Sequence, residues 1–169
     1  SVLKTNLAAN GFVETTPIQA QAINPALSGR DLIATAQTGT GKTLAFLVPL
    51  IERLMRESKP GIRAVVLSPT RELAMQIHET FQKIAPGSGL RAAVVVGGVP
   101  EKIQLHALRK GASVVIATPG RLVDFMDRKL ARLGAAEIVV LDESDRMLDM
   151  GFLPTIRRIL GETPMIRQT

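Results

Sequence analysis

The chain has 169 residues, of which 46 % are apolar and 21 % charged, with a formal net charge of +6 and a pI near 10.3. These values suit one folded domain with a sizeable core and exclude an intrinsically disordered chain. The absence of cysteine excludes a disulfide framework and thiolate metal sites, and no apolar run approaches the roughly 20 residues that cross a bilayer.

The N-terminal stretch SVLKTNLAANGF does not read as a secretory signal, so a cytoplasmic protein without a membrane role is expected. Two helices are expected first, the second opening at Thr16-Pro17, with threonine as cap and proline in the first turn. Continuous apolar runs then recur at Asp31–Ala36, Arg63–Ser68, Arg91–Val96, Ser113–Ala117 and Glu137–Asp142. Such runs suit parallel strands covered on both faces. Helical patterns separate them at Lys42–Met55, Arg71–Ile84, Glu101–Lys110 and Gly120–Asp127. The alternation predicts an α/β fold, an open and mostly parallel sheet with helices on both faces. Ligands of such sheets collect beyond the carboxyl ends of the strands.

The run at Asp31–Ala36 leads into AQTGTGKT: Ala36, Gln37, Thr38, Gly39, Thr40, Gly41, Lys42 and Thr43. A glycine-rich turn entering a helix aims backbone N–H groups at an anion, which the helix dipole also favours. Lys42 adds positive charge at the outer phosphates, and Thr43 a hydroxyl for Mg²⁺. The strict P-loop pattern begins with glycine where this chain has Ala36.

The apolar run EIVVL ends in Asp142, Glu143, Ser144 and Asp145. Taken alone, this tetrapeptide is as well explained by an exposed acidic turn. Beside a phosphate-binding turn, Asp142 becomes a candidate Mg²⁺ holder acting through the metal's water shell. Glu143 becomes a candidate to orient or deprotonate the attacking water. Lys42, Asp142 and Glu143 are thus the candidate catalytic set.

The set of motifs resembles the first RecA-like domain of DEAD-box RNA helicases over essentially the whole chain. TTPIQ at Thr15–Gln19 looks like the family's adenine-reading motif, AQTGTGKT like its Walker A, and DESD like its name-giving tetrapeptide. PTREL at Pro69–Leu73, Gly97-Gly98, and TPGR at Thr118–Arg121 match its RNA-contacting elements. The resemblance implies an ATP-dependent RNA helicase using ATP and Mg²⁺. Gln19, with Phe12 and Glu14, is then expected at adenine, an amide being able to donate and accept at once. Pro69, Thr70, Arg71, Gly98, Thr118, Pro119, Gly120 and Arg121 are expected to grip the RNA backbone, with ribose hydroxyls marking RNA from DNA. Aromatics are only 3 %, which also favours backbone contact over base stacking. Read singly, Arg71 and Arg121 are equally well helix-start arginines in surface salt bridges, and Thr118-Pro119 a helix cap.

Ser144 stands where the family name has alanine, and Thr15 replaces a usual proline. Relative to the family, residues 1–169 read as a single N-terminal domain truncated at both ends. They stop before the SAT motif and lack the second RecA-like domain that supplies arginines to the γ-phosphate. Such arginines are worth roughly 10³–10⁵ in rate, so a monomeric fragment that binds nucleotide weakly and does not unwind is expected. A P-loop kinase or transporter ATPase would need a substrate insertion or signature loop, and none is apparent. A nucleic-acid module with a vestigial P-loop fits poorly with intact Lys42, Thr43, Asp142 and Glu143. A DNA-translocating helicase is the nearest rival. His78 and His106 lack partners at metal spacing, and Met147 and Met150 near Phe152 are expected in the core.

Overall fold

A computed structural model describes all residues from Ser1 to Thr169. The chain resolves into two compact units. The first comprises Ser1–Ser58, Glu79–Leu90 and Gln168–Thr169, the second Lys59–His78 and Arg91–Arg167.

The first unit holds α1 (Val2–Ala9), α2 (Pro17–Leu27) and α3 (Lys42–Met55). Helix α2 starts where the sequence predicts, at an extended Thr16 followed by Pro17. The Thr16 N–H donates to Gln19 Oε1 at 3.0 Å, satisfying one amide at the helix entrance through the side chain three residues on. Helix α3 buries Leu44, Leu47, Leu50, Ile51 and Leu54 along one stripe, and α1 and α2 both pack on it. Burying each such side chain stabilises the unit by about 1.5–3 kcal/mol. Asn6 Nδ2 donates to the carbonyls of Ile84 and Pro86, at 2.9 and 2.7 Å, tying α1 to the 79–90 segment.

Asp31–Ala36 is not a strand. Ile33 is fully exposed, and Leu32 N–H donates to the Thr169 carbonyl at 3.0 Å. A β-branched run has the propensity for a strand, but a ladder needs a neighbour on at least one side. AQTGTGKT is therefore entered from an exposed segment without regular structure rather than from a strand.

The second unit is built on β1 (Ala64–Leu67), β2 (Ala92–Val95), β3 (Val114–Ala117) and β4 (Ile138–Leu141). All pairings are parallel, in the order β2-β3-β1-β4. The four remaining runs read as strands from the sequence all form strands. In β1 and β3 every residue is buried, as continuous apolar runs require. The sheet's helices are α4 (Arg71–Ile84), which passes the unit boundary after His78, α5 (Glu101–Arg109), α6 (Pro119–Asp127), α7 (Ser144–Asp149) and α8 (Leu153–Gly161). Val65, Leu67, Val115 and Ala117 form a core with Leu122 and Phe125 of α6, Met147 of α7, and Ile156 and Ile159 of α8. Met147 is buried as expected, whereas Met150 is 48 % exposed and lies outside the core: it follows the last turn of α7, which turns Met147 inward. At the amino ends of the strands Arg63, only 2 % exposed, forms a two-pronged contact with Glu137 at 3.3 Å on each prong.

Candidate functional site

Register sets the second unit's site. Leu67 pairs with both Ala117 and Leu141, and Val95 pairs with Ala117, so the four strands end level. The ladder runs one residue further: Ser68 N–H donates to Ala117, Thr118 N–H to Val95 and Asp142 N–H to Leu67, at 2.9, 3.1 and 2.9 Å. PTREL, Gly97-Gly98, TPGR and DESD therefore leave the sheet along one carboxyl edge, where open parallel sheets place ligands.

At that edge Asp142 is half-buried and Glu143 follows with φ 50° and ψ 50°. A non-glycine residue in the left-handed region costs of order 1–3 kcal/mol and is held by its surroundings. Glu143 forms the N-cap position of α7, and Arg146 Nη1 lies 3.5 Å from its carboxylate. Ser144 and Asp145, the rest of the tetrapeptide, are exposed in the first turn of that helix.

Pro69 is buried and fixes the turn that starts α4, where Leu73 N–H donates to Thr70 Oγ1 at 3.3 Å. Arg71 is exposed; its Nη2 lies 3.3 Å from Glu72, and its guanidinium lies over Gly98. The Glu72 carboxyl is held below its ordinary range, mainly by a backbone hydrogen bond and further by Arg71. Thr118 has extended backbone and occupies the N-cap position of α6 without a side-chain capping bond, with Pro119 buried behind it and Gly120 exposed. Arg121 lies 3.6 Å from Glu101 and 5.7 Å from the centre of the Phe125 ring. Both arginines thus have acidic neighbours, which leaves them at the edge with their charge partly matched. Glu101 is itself pulled below the ordinary carboxylate range, first by its hydrogen bond from Arg128.

In the first unit, AQTGTGKT forms a tight turn. Thr40 Oγ1 donates to the Gln37 carbonyl at 2.6 Å, and Gly39 and Gly41 adopt φ of 82° and 86°. Gly41 is the N-cap of α3 and offers no side chain to its first amides. The opening N–H groups of α3, beside Lys42 and Thr43, are thus left for an outside acceptor. Gln19 is 6 % exposed; its Nε2 donates to the Gly41 carbonyl at 3.1 Å. Phe12 is 39 % exposed, and Glu14 is exposed in the segment before α2.

Two features escaped sequence reasoning. One is the Gln19–Gly41 bond. The other is Gln104, buried on α5 and bonded to the Val96–Val99 loop. Its sequence signal is a polar residue on the face that also carries Leu105 and Leu108.

A family model described as DEAD/DEAH box helicase matches residues 16–169. The chain is 47 % identical over 167 residues to DEAD-box ATP-dependent RNA helicase 30 of Arabidopsis thaliana, covering 96 % of this chain and 28 % of that protein. It is 46 % identical over 159 residues to the DEAD-box ATP-dependent RNA helicase CshA of Bacillus subtilis, covering 94 % and 32 %. A solved structure of a hypothetical ATP-dependent RNA helicase from Sulfolobus tokodaii superposes with a TM-score of 0.89 at 34 % identity, over 99 % of this chain and 48 % of that one. The chain spans less than a third of the two curated relatives. Its α/β architecture is that of the RecA-like helicase domain, and the chain belongs to the DEAD/DEAH box helicase family.

Proposed function

We propose that the chain is the single ATP-binding, N-terminal RecA-like domain of an RNA helicase, one that couples ATP hydrolysis to local duplex opening. The observation that carries this reading is the AQTGTGKT turn: left-handed glycines at 39 and 41, and a helix start with no side-chain cap. Such a turn fits a phosphate chain, because the dipole and the open amides favour negative charge. Lys42 adds its ammonium to the outer phosphates. Thr43 and Asp142 supply the hydroxyl and carboxylate that suit a hard cation, and bound Mg²⁺ would neutralise phosphate charge. Glu143 orients the attacking water and accepts its proton, with a carboxylate set by the unusual backbone at its own position. Gln19 is the adenine reader, with Phe12 and the backbone near Glu14 flanking the base. Its remaining amide hydrogen and lone pair suffice for one donor–acceptor pair.

RNA, single-stranded or duplex, is held through its backbone at the carboxyl edge by Pro69, Thr70, Arg71, Gly98 and the Thr118–Arg121 turn. Net positive charge supports contact with a polyanion. A second RecA-like domain in a longer protein completes turnover, and alone these residues act as a monomer that binds nucleotide without unwinding. No helix is long and apolar enough to cross a membrane, and we place the activity in the cytoplasm.

Titrating the chain with ATP, ADP, AMP and GTP, with and without Mg²⁺, tests the reading. Adenine nucleotides should bind more tightly than GTP, and Mg²⁺ should strengthen the triphosphate. Lys42→Ala should abolish binding while leaving the circular dichroism spectrum unchanged; unaltered affinity would remove the phosphate role from this turn.

A further inference from the structure

The loop leaving β2 has no regular structure of its own, yet three of its backbone groups end on one side chain. Gln104 Nε2 donates to the carbonyls of Val96 and Val99, at 2.8 and 3.1 Å. Its Oε1 accepts from the Val96 N–H at 3.3 Å. The side chain is 2 % exposed, so these bonds form away from water, where an unmatched partner is expensive. Between the clamped residues Gly97 and Gly98 are exposed. Gly98 has φ 75°, and a Cβ there would lie 2.5 Å from Arg71 Nη1. The tip of the loop is thus pressed against the arginine of PTREL.

We propose that Gln104 is a positioning residue for RNA. It fixes the Gly97-Gly98 turn against Arg71, so that the turn's backbone and the guanidinium present one prearranged surface to the sugar-phosphate chain. The inference rests on the RNA-contacting role assigned above to this edge. Two consecutive glycines have the greatest backbone freedom of any pair. A partner binding an unrestrained turn would have to freeze it, and prior restraint removes that cost. Glutamine suits the task because it answers a carbonyl and an N–H with the same group. Methionine fills similar space and does neither. The same helix carries Glu101, whose carboxylate receives Arg128 at 2.5 and 2.9 Å and lies 3.6 Å from Arg121. Helix α5 therefore holds the glycine loop by the buried amide of Gln104 and reaches the TPGR arginine by a single ion pair from Glu101.

The test is an amide NMR titration of the 169-residue chain with a single-stranded oligouridylate RNA, alongside ADP. Variants are Gln104→Met, Gln104→Glu and, as reference for the edge, Arg121→Ala. Gln104→Met should weaken RNA binding about tenfold, the effect of losing one or two well-placed backbone contacts, with ADP affinity unchanged. Gln104→Glu keeps the acceptor but faces two carbonyls without a proton, so its RNA binding should fall at about pH 8 and recover at about pH 6 as the carboxyl regains one. That pH response carries the test if the methionine variant does not fold. Wild-type RNA binding together with full binding by Gln104→Met overturns the positioning role alone. Equal losses for RNA and ADP overturn it as well, since general loosening then explains both. No RNA binding by the wild type overturns the assignment of the edge, and this inference with it.

Discussion

Gln19 Nε2 donates to the carbonyl of Gly41 at 3.1 Å, while its Oε1 accepts from Thr16 N–H at 3.0 Å. One buried amide thereby joins the start of α2 to the last residue of the glycine-rich turn before α3. The contact explains why position 41 must lack a side chain. A Cβ there would fall well inside contact distance of Gln19 Nε2 and 3.0 Å from Thr16 Oγ1.

Gly41→Ala therefore carries two penalties. The left-handed φ of 86° costs an L-residue about 1–2 kcal/mol, and displacing the buried amide leaves a carbonyl unmatched for about 1–3 kcal/mol. Urea denaturation should show a loss of about 2–5 kcal/mol, and ADP binding should disappear. A variant within half a unit of wild type, on the order of experimental error, would mean that the amide does not pack on this glycine in solution.

Gln19→Ala separates the contact to Gly41 from the proposed contact to adenine. Losing the bond to Gly41 loosens the turn and should weaken ATP and GTP alike. Losing an adenine contact should weaken ATP further, by about tenfold beyond the common loss, since a site built to match hydrogen bonds discriminates when they are removed. Competition titrations with both nucleotides measure the difference. Equal losses would leave Gln19 as a support for the turn and remove it from base recognition.

The contrast between Gln19 and Ile33 shows what a sequence can convey. Motif residues at strand ends were legible because apolar runs mark strands and the following turn residues mark their exits. The level carboxyl edge then follows from parallel pairing. Ile33 sits in a run with the same propensity but is fully exposed, because pairing is a property of neighbours and not of the run. Helix α7 was hidden for a related reason: its six residues begin inside the acidic tetrapeptide, where charge obscures the helical period. The Gly41 partner of Gln19 lies 22 residues away, and the loop partners of Gln104 lie within 8. Neither is set by helical or strand periodicity, so only a folded arrangement reveals them.

The Arg63–Glu137 contact predicts an asymmetry in stability. Arg63 is buried and Glu137 about a third exposed at its side chain. Glu137→Met removes a charged acceptor from a buried guanidinium and should cost about 1.5–3 kcal/mol. Replacing both, as Arg63→Met with Glu137→Leu, should recover much of that loss, because paired apolar groups need no desolvated charge. Denaturant unfolding of the single and double variants checks this. A double variant no more stable than Glu137→Met would show that the pair contributes more than the avoidance of an unmatched charge.

His78 gives the fold a mild acid sensitivity. It lies half-buried on α4, and burial pushes its pKa below the ordinary 6.5, opposed by a backbone hydrogen bond with Ala92. A histidine with a depressed folded pKa takes its proton more readily in the unfolded chain. Above 6.5 both states are neutral and the residue has no effect on pH dependence. As pH falls below that value the unfolded chain protonates first, and stability declines until the folded pKa is passed. His78→Gln removes this contribution while keeping an amide able to bond to backbone. Urea midpoints at about pH 7.5 and about pH 5 should therefore differ less in His78→Gln than in wild type. If the two proteins lose stability in parallel over that interval, the buried imidazole is not what responds to acid.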